Sequence, residues 1–381
     1  MVSYICMSRI GNLCGNKEMK KTVVVGMSGG VDSSVCAYLL KEQGYDVIGV
    51  TMQIWRPENA CDVSYNGGCC GLSAVDDARR VADVIGIPYY VMDFREEFQK
   101  YVIDNFTSQY VKGRTPNPCI ECNRHVKWEA LLQKARDIGA DYLATGHYAR
   151  ITKLENGRYT ISASKTAAKD QTYALYALTQ DQLSHTLLPI GEYEKTDVRK
   201  IAEEAGLPVA HKKDSQEICF VPDGDYASFI EKEDGVVVPG PGDFVTPDGT
   251  FIAKHKGITH YTVGQRRGLG VAAGERIYVT NIDPATDRVT LGADEDLFTS
   301  VVIADDVCWM GIEGIAPDEK VRVKAKIRYN HGGETGVLES AGEGKVKVSF
   351  DKPVRAAAPG QALVYYDETG TYIYGGGTIV Q

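Results

Sequence analysis

Three groups of residues in this 381-residue chain have types and spacings that could do chemistry. Cys119 and Cys122 form a C-x-x-C pair, a spacing shared by redox pairs, metal half-sites and nucleophiles. Pro116 and Pro118 flank Asn117 and forbid a regular helix there, so the pair should open a helix running to Ile138, where the helix N-terminus lowers a thiol pKa. Cys219 stands apart in HKKDSQEICF, a polar, positively flanked loop, as a candidate partner thiol. The second group is backbone: Gly26 to Ser33 reads GMSGGVDS, and Gly29 and Gly30 carry no Cβ to keep an anion from successive N–H groups. Ser28, Ser33 and Ser34 add hydroxyl donors, while Asp32 suits a metal or ribose contact. The third is His147 after Gly146 in DYLATGHYAR, with Met52 placed either for a nucleotide base or for interior packing.

These groups need a scaffold, and the hydrophobic pattern supplies one. Thr22 to Val25 reads as a buried strand, Ser34 to Leu40 as the start of an amphipathic helix and Asp46 to Trp55 as a second strand, a βαβ start that implies a parallel sheet. Ligands of such sheets bind beyond the carboxyl ends of the strands, so Gly146 and His147 should face the glycine loop. Helices over Ser73–Ile85, Phe98–Val111 and Lys195–Gly206 and a strand over Pro88–Phe94 complete the layer. Arg56 to Leu72, with Cys61, Cys69 and Cys70, reads as a loop with incidental thiols, since adjacent cysteines strain a single metal site. Beyond Phe220, glycines, prolines and short alternating runs predict antiparallel strands forming small β domains.

Composition narrows the class. No apolar run approaches the length of a membrane span, and residues 1–18 lack the apolar core of a secretion signal, so they read as an unstructured extension before Met19. Ten unevenly spaced cysteines, with Cys36 on the helix behind the glycine loop, suit a cytoplasmic protein better than a disulfide framework. The net charge of −9 argues against a nonspecific nucleic-acid binder. Its distribution is uneven: from Gln216 onward there are 16 basic and 25 acidic residues, yet Thr250–Gly274 holds Lys254, Lys256, Arg266 and Arg267 with no acid. Arg322, Lys324, Lys326 and Arg328 form a second basic tract. Such tracts suit a phosphate backbone gripped at chosen points, although solvated strand faces would show the same charges.

The glycine loop lacks the lysine of G-x-x-x-x-G-K-[ST] and matches SGGxDS, the pyrophosphate loop of ATP-pyrophosphatases, which release pyrophosphate and leave AMP on a substrate. With TPNPC-x-x-CN-x-x-x-K, TGHYAR, KDQ, KDSQ-x-ICF, HYTVGQRRGLG and RYN in order, the chain resembles the tRNA-specific 2-thiouridylase (MnmA/TrmU) family from about Met19 to Gln381. The resemblance implies an α/β fold: a PP-loop ATP-pyrophosphatase domain at 19–215, with a Rossmann-like parallel sheet of the adenine nucleotide alpha hydrolase kind. A central β-rich tRNA-binding domain at 216–276 and a C-terminal β-barrel domain at 277–381 would follow. It implies ATP-dependent 2-thiolation of the wobble uridine U34 of tRNA, with ATP and Mg²⁺ as cofactors. The anticodon stem-loop and a cysteine desulfurase or sulfur-relay protein would be partners, with no membrane involved.

Carried over residue by residue, Gly26, Met27, Ser28, Gly29, Gly30, Val31, Asp32, Ser33, Met52 and Gly146 would bind ATP. Asn117, Pro118 and Cys119 would meet the flipped base, and His147, Lys169, Asp170, Gln171, Arg328, Tyr329 and Gln361 would touch tRNA. Cys122 would be the nucleophile and Cys219 the persulfide carrier, with a transient Cys122–Cys219 disulfide. Many members have Asp three residues before the nucleophile; here Cys119 stands there, which removes a proton-shuttling carboxylate. Cys119, Cys122 and Cys219 would then offer a [4Fe–4S] cluster as an alternative sulfur carrier. An amide-forming ligase built on the same loop, or a thiol-bearing RNA- or metal-binding module, are the competing readings.

Overall fold

The computed structural model describes residues 20–54, 72–166, 169–214, 218–221, 223–271, 274 and 276–380. The extension 1–18 and Cys61, Cys69 and Cys70 lie outside them.

Strands β1 (Thr22–Gly26), β2 (Asp46–Gln53), β3 (Tyr89–Asp93) and β4 (Tyr142–Thr145) form a parallel sheet that takes in β7 (Thr186–Leu187) at its edge, in the order β3-β2-β1-β4-β7. Strand alternation sends neighbouring side chains to opposite faces. Val23 and Val25 thus enter a core with helices α1 (Val31–Glu42), α2 (Leu72–Ile85) and Lys195–Glu204, while Val24 enters a second core on the other face. That second core receives Phe98 and Phe106, and also Ile120, Val126 and Trp128 from the continuous helical run Pro118–Glu121, Cys122–Leu131 and Leu132–Asp137. Because β1 is flanked by β2 on one side and β4 on the other, the crevice between β1 and β4 is the topological switch point where ligands bind in such sheets.

A hairpin of β5 (Ala149–Lys153) and β6 (Tyr159–Ala163) leaves the sheet and meets the end of the chain, where the Thr160 hydroxyl donates to the Ile373 carbonyl at 2.6 Å. The middle sheet, in order β10-β11-β8-β9, joins β8 (Asp243–Val245), β9 (Phe251–Lys254), β10 (Tyr278–Asp283) and β11 (Arg288–Gly292). It differs from the boundary read at 276/277: β11 pairs in parallel with β8, which ties both β10 and β11 to the middle unit. The closed barrel starts later, with β12 (Phe298–Trp309), and continues through β13 (Lys320–Lys326), β14 (Glu334–Gly342), β15 (Lys345–Arg355), β16 (Ala362–Tyr366) and β17 (Ile373–Ile379). Strands β12 and β14 are absent from the sequence reading, because Asp305-Asp306 and the glycines of β14 interrupt the alternation that marks a strand. Met310, Ala362, Val364, Tyr366 and Ile373 belong to the same buried cluster as Phe98 and Trp128, so the barrel's outer face and the first domain share one core.

Candidate active site

Strand β1 ends at Gly26, and the turn Met27–Gly30 leads directly into α1. Its shape is fixed from within. The Met27 N–H donates to the Val50 carbonyl (2.8 Å), the Thr51 hydroxyl to the Met27 carbonyl (2.7 Å), and the Ser28 N–H to Ser33 Oγ (3.1 Å). Gly29 adopts a φ of +67°, and a Cβ there would lie 2.2 Å from the Ala74 carbonyl oxygen, so the turn is closed against α2 and only glycine fits. Gly30 is the N-cap of α1, which has no side-chain cap. A helix start without a capping oxygen presents its N–H groups and positive dipole end to an anion, which makes this turn a fitting seat for a polyphosphate. Across the switch point, a Cβ on Gly146 would lie 2.6 Å from Ser33 N. The β4 turn therefore abuts the start of α1, as the sheet logic requires, and packing alone accounts for this glycine. Met52 is half-buried on β2 against the second core.

A web of charge surrounds the turn. Asp32 accepts from Lys195 Nζ on both oxygens (2.7 and 2.9 Å) and from the Tyr148 hydroxyl (2.7 Å). Lys195 also pairs with Asp214 (2.9 Å), which Lys169 (3.0 Å) and Arg199 (2.9 Å) reach as well. Burial works to raise the Asp214 carboxyl, but the bonds from Lys195 and Lys169 outweigh it and hold the group below the ordinary carboxylate range. Lys212 donates to the Gly29 carbonyl (3.0 Å) and to Asp77 (2.7 Å). Tyr148, Lys195, Arg199, Lys212 and Asp214 are not among the residues singled out from the sequence. Lys212 and Asp214 lie inside HKKDSQEICF, but their partners are far away in the chain and no spacing announces them.

The thiols stand on the other side of the sheet. Asn117 caps the helix by accepting the Cys119 N–H (3.1 Å), and Pro118 occupies the first helical position, where its missing N–H costs nothing. Exposed Cys119 is thus in the first turn, while half-buried Cys122 begins the second, where the helix widens into a π-form over Cys122–Leu131. Wide turns of this kind are frequent at functional sites. Cys122 packs on the second core, and so does Cys219. Phe220 seats Cys219's segment among Phe98, Phe106 and Phe229, with ring centroids 5.2 to 5.7 Å apart. Among the described residues no group of three His, Cys, Asp or Glu side chains is placed to hold a metal ion.

Between the two ends lies His147, whose Nδ1 is 2.7 Å from the Thr145 hydroxyl and whose ring is 5.6 Å from that of Trp128. Burial, then the charge of Lys127, push its imidazole well below the usual value, so it is neutral near pH 7. Asp170 accepts from the Thr172 hydroxyl (2.5 Å) and the Ser164 N–H (3.1 Å), and Gln171 from the Tyr148 N–H (2.9 Å). Arg328 donates to the Arg355 carbonyl (2.7 Å), and Gln361 to the Thr115 carbonyl (2.8 Å). Tyr329 is exposed, and its phenol is raised by burial of part of the ring and by the neighbouring Asp170 and Cys119. Tyr329 and Cys119 are the two of these expected contacts that stand exposed.

Comparison with known proteins follows the same division. The family described as "tRNA methyl transferase HUP domain" matches residues 21–223, "tRNA methyl transferase PRC-barrel domain" matches 228–293, and "Aminomethyltransferase beta-barrel domain" matches 299–379. The tRNA-specific 2-thiouridylase MnmA of Lachnoclostridium phytofermentans is 57% identical over 361 residues, covering 95% of this chain and 100% of the relative. That of Clostridioides difficile is 53% identical over 362 residues, covering 95% and 98%. A solved 4-thiouridine synthetase–RNA complex with bound ATP is 18% identical, covers 56% of this chain and 50% of its own, and has a TM-score of 0.36, too loose a likeness to carry argument.

Proposed function

The chain belongs to the tRNA-specific 2-thiouridylase family, and from that premise we propose that it carries out ATP-dependent 2-thiolation of the wobble uridine of tRNA in the cytoplasm. The observation that carries this reading is the 57% identity along the whole length of a named 2-thiouridylase. A glycine turn on an uncapped helix suits a polyphosphate, which favours adenylation over the methyl transfer named in the family descriptions.

The chemistry follows from the substrate. C2 of uridine bears an amide-like carbonyl whose oxygen is a poor leaving group. O2 attacks the α-phosphorus of ATP, pyrophosphate leaves, and the departing charge is met by the Met27–Gly30 turn and the α1 N-terminus. Mg²⁺ would come with the nucleotide and offset phosphate charge; Asp32, held by Lys195, is not assigned to it. Cys219, charged as a persulfide by a desulfurase or relay protein, adds its terminal sulfur to C2, and AMP departs carrying the former O2. Cys122 then attacks the Cys219 sulfur, releasing 2-thiouridine and leaving a Cys122–Cys219 disulfide that a thiol reductant must return to two thiols. The base enters beside Asn117, Pro118 and Cys119, and extrusion costs a few kcal/mol, less from a single-stranded loop. Neutral His147 is available as a donor or acceptor to the bound RNA. Exposed Arg266 and Arg267 supply phosphate contacts.

The test is nucleoside mass spectrometry of unmodified tRNA incubated anaerobically with the protein, ATP–Mg²⁺ and sulfide or a desulfurase. The expected result is 2-thiouridine only when ATP is present. Thiolation of another base would reassign the target, and none with either sulfur source would favour the amide-forming ligase.

A further inference from the structure

The barrel touches the nucleophile's own segment at both ends. At Thr115, the N–H donates to the Pro359 carbonyl (2.8 Å) and the carbonyl accepts from Gln361 Nε2 (2.8 Å). The approach is close enough to require glycine: Gly360 has a φ of +90°, and a Cβ there would lie 2.9 Å from Thr115 N. At the other end, Arg124, two residues beyond Cys122, makes a two-pronged ion pair with Asp306 of β12 (2.5 and 3.3 Å). Asp306 has a φ of +46°, unusual for a residue with a side chain, at the point where β12's pairing with β17 shifts register between Asp305 and Cys308. Strand β12 bulges where it presents this carboxylate.

We infer that the C-terminal barrel acts as a clamp that sets the position of Cys122, with Asp306, Gly360 and Gln361 as positioning residues. The inference deepens the thiolation reading and rests on it for its kinetic test. It gives Gln361 a partner inside the protein in place of the RNA contact implied by family resemblance. Fixing Thr115 and Arg124 fixes the helix start between them, and with it the angle at which the Cys122 thiol meets a base.

The experiment uses full-length Asp306→Asn and Gly360→Ala. Asn tolerates left-handed backbone, so the first removes charge while keeping the bulge. In tRNA thiolation the expected loss is about 10- to 100-fold in kcat, the scale of a reacting group misplaced by about an ångström, with KM for tRNA held within about twofold. Iodoacetamide alkylation without ATP or tRNA, resolved by peptide mapping, should change at Cys122 and not at Cys219. Buried Cys36 reports any unfolding, and if Gly360→Ala unfolds, Gln361→Ala, which removes the side-chain hydrogen bonds to the Thr115 and Pro116 carbonyls without a clash, replaces it. A raised KM for tRNA with kcat intact would make these RNA contacts and overturn the clamp, as would unchanged alkylation at Cys122. Wild-type protein that makes no 2-thiouridine would sink the functional reading instead, leaving alkylation to decide the clamp.

Discussion

At the proposed phosphate end of the site, β1, the Met27–Gly30 turn and α1 follow one another in the chain, and backbone groups would do the binding. At the thiol end, Cys122 and Cys219 come from distant segments, and each packs against one buried cluster that holds Ile120, Phe220 and the barrel's Tyr366. The first end is local and braced by its own hydrogen bonds. The second is assembled from two domains and depends on how they dock. The contrast teaches that this chain places its proposed anion site by covalent neighbourhood and its proposed nucleophile by tertiary packing, so damage should separate the half-reactions.

The largest effect that sharpens the contrast is at the thiols. Cys122→Ser and Cys219→Ser should each lower 2-thiouridine formation by more than about 10³-fold, as expected for loss of a covalent participant, while ATP affinity stays unchanged in a filter-binding assay. Thiolation by the double variant would break the comparison. Gly29→Ala attacks the other end. Its Cβ collides with the Ala74 carbonyl, and misplacing the phosphate-binding N–H groups should slow release of AMP and pyrophosphate about 10²-fold. Cys219 alkylation should be unaffected.

How much of this was legible in the sequence follows from the same contrast. The GMSGGVDS turn and its place between strand and helix are written in adjacent residues, as is the Asn117 cap before Cys119. The Asp32–Lys195–Asp214 chain is not, because each partner is an ordinary charged residue until folding brings it near. Motif membership likewise named Asp170, Gln171 and Gln361 but not the internal hydrogen bonds that engage them. The barrel's first strand stayed hidden because the register shift at Asp305 and Cys308 breaks its period.

Two smaller effects probe the link between the ends. Lys195→Met should leave Asp32 and Asp214 facing each other without their shared cation, lowering stability by about 1–3 kcal/mol in urea unfolding. Loss of thiolation with stability intact would mean that Lys195 serves the reaction and not the scaffold. The smallest is a pH effect at His147. Its folded pKa lies below the unfolded value of about 6.5, so its contribution is complete above that value. As pH falls below about 6.5 the unfolded chain takes up a proton the folded one refuses, and stability drops by up to about 1.4 kcal/mol per pH unit until the folded pKa is reached. Urea unfolding at pH 5 and 7 should show a smaller difference for His147→Gln than for wild type.

The central claim is that both ends act on one atom, the uridine O2, which is activated at the phosphate end and displaced from the thiol end. Unmodified tRNA carrying ¹⁸O at C2 of the wobble uridine tests it directly, with the AMP and pyrophosphate from a single turnover analysed by mass spectrometry. The account predicts one ¹⁸O in AMP for each 2-thiouridine formed and none in pyrophosphate. Unlabelled AMP alongside full thiolation would contradict it.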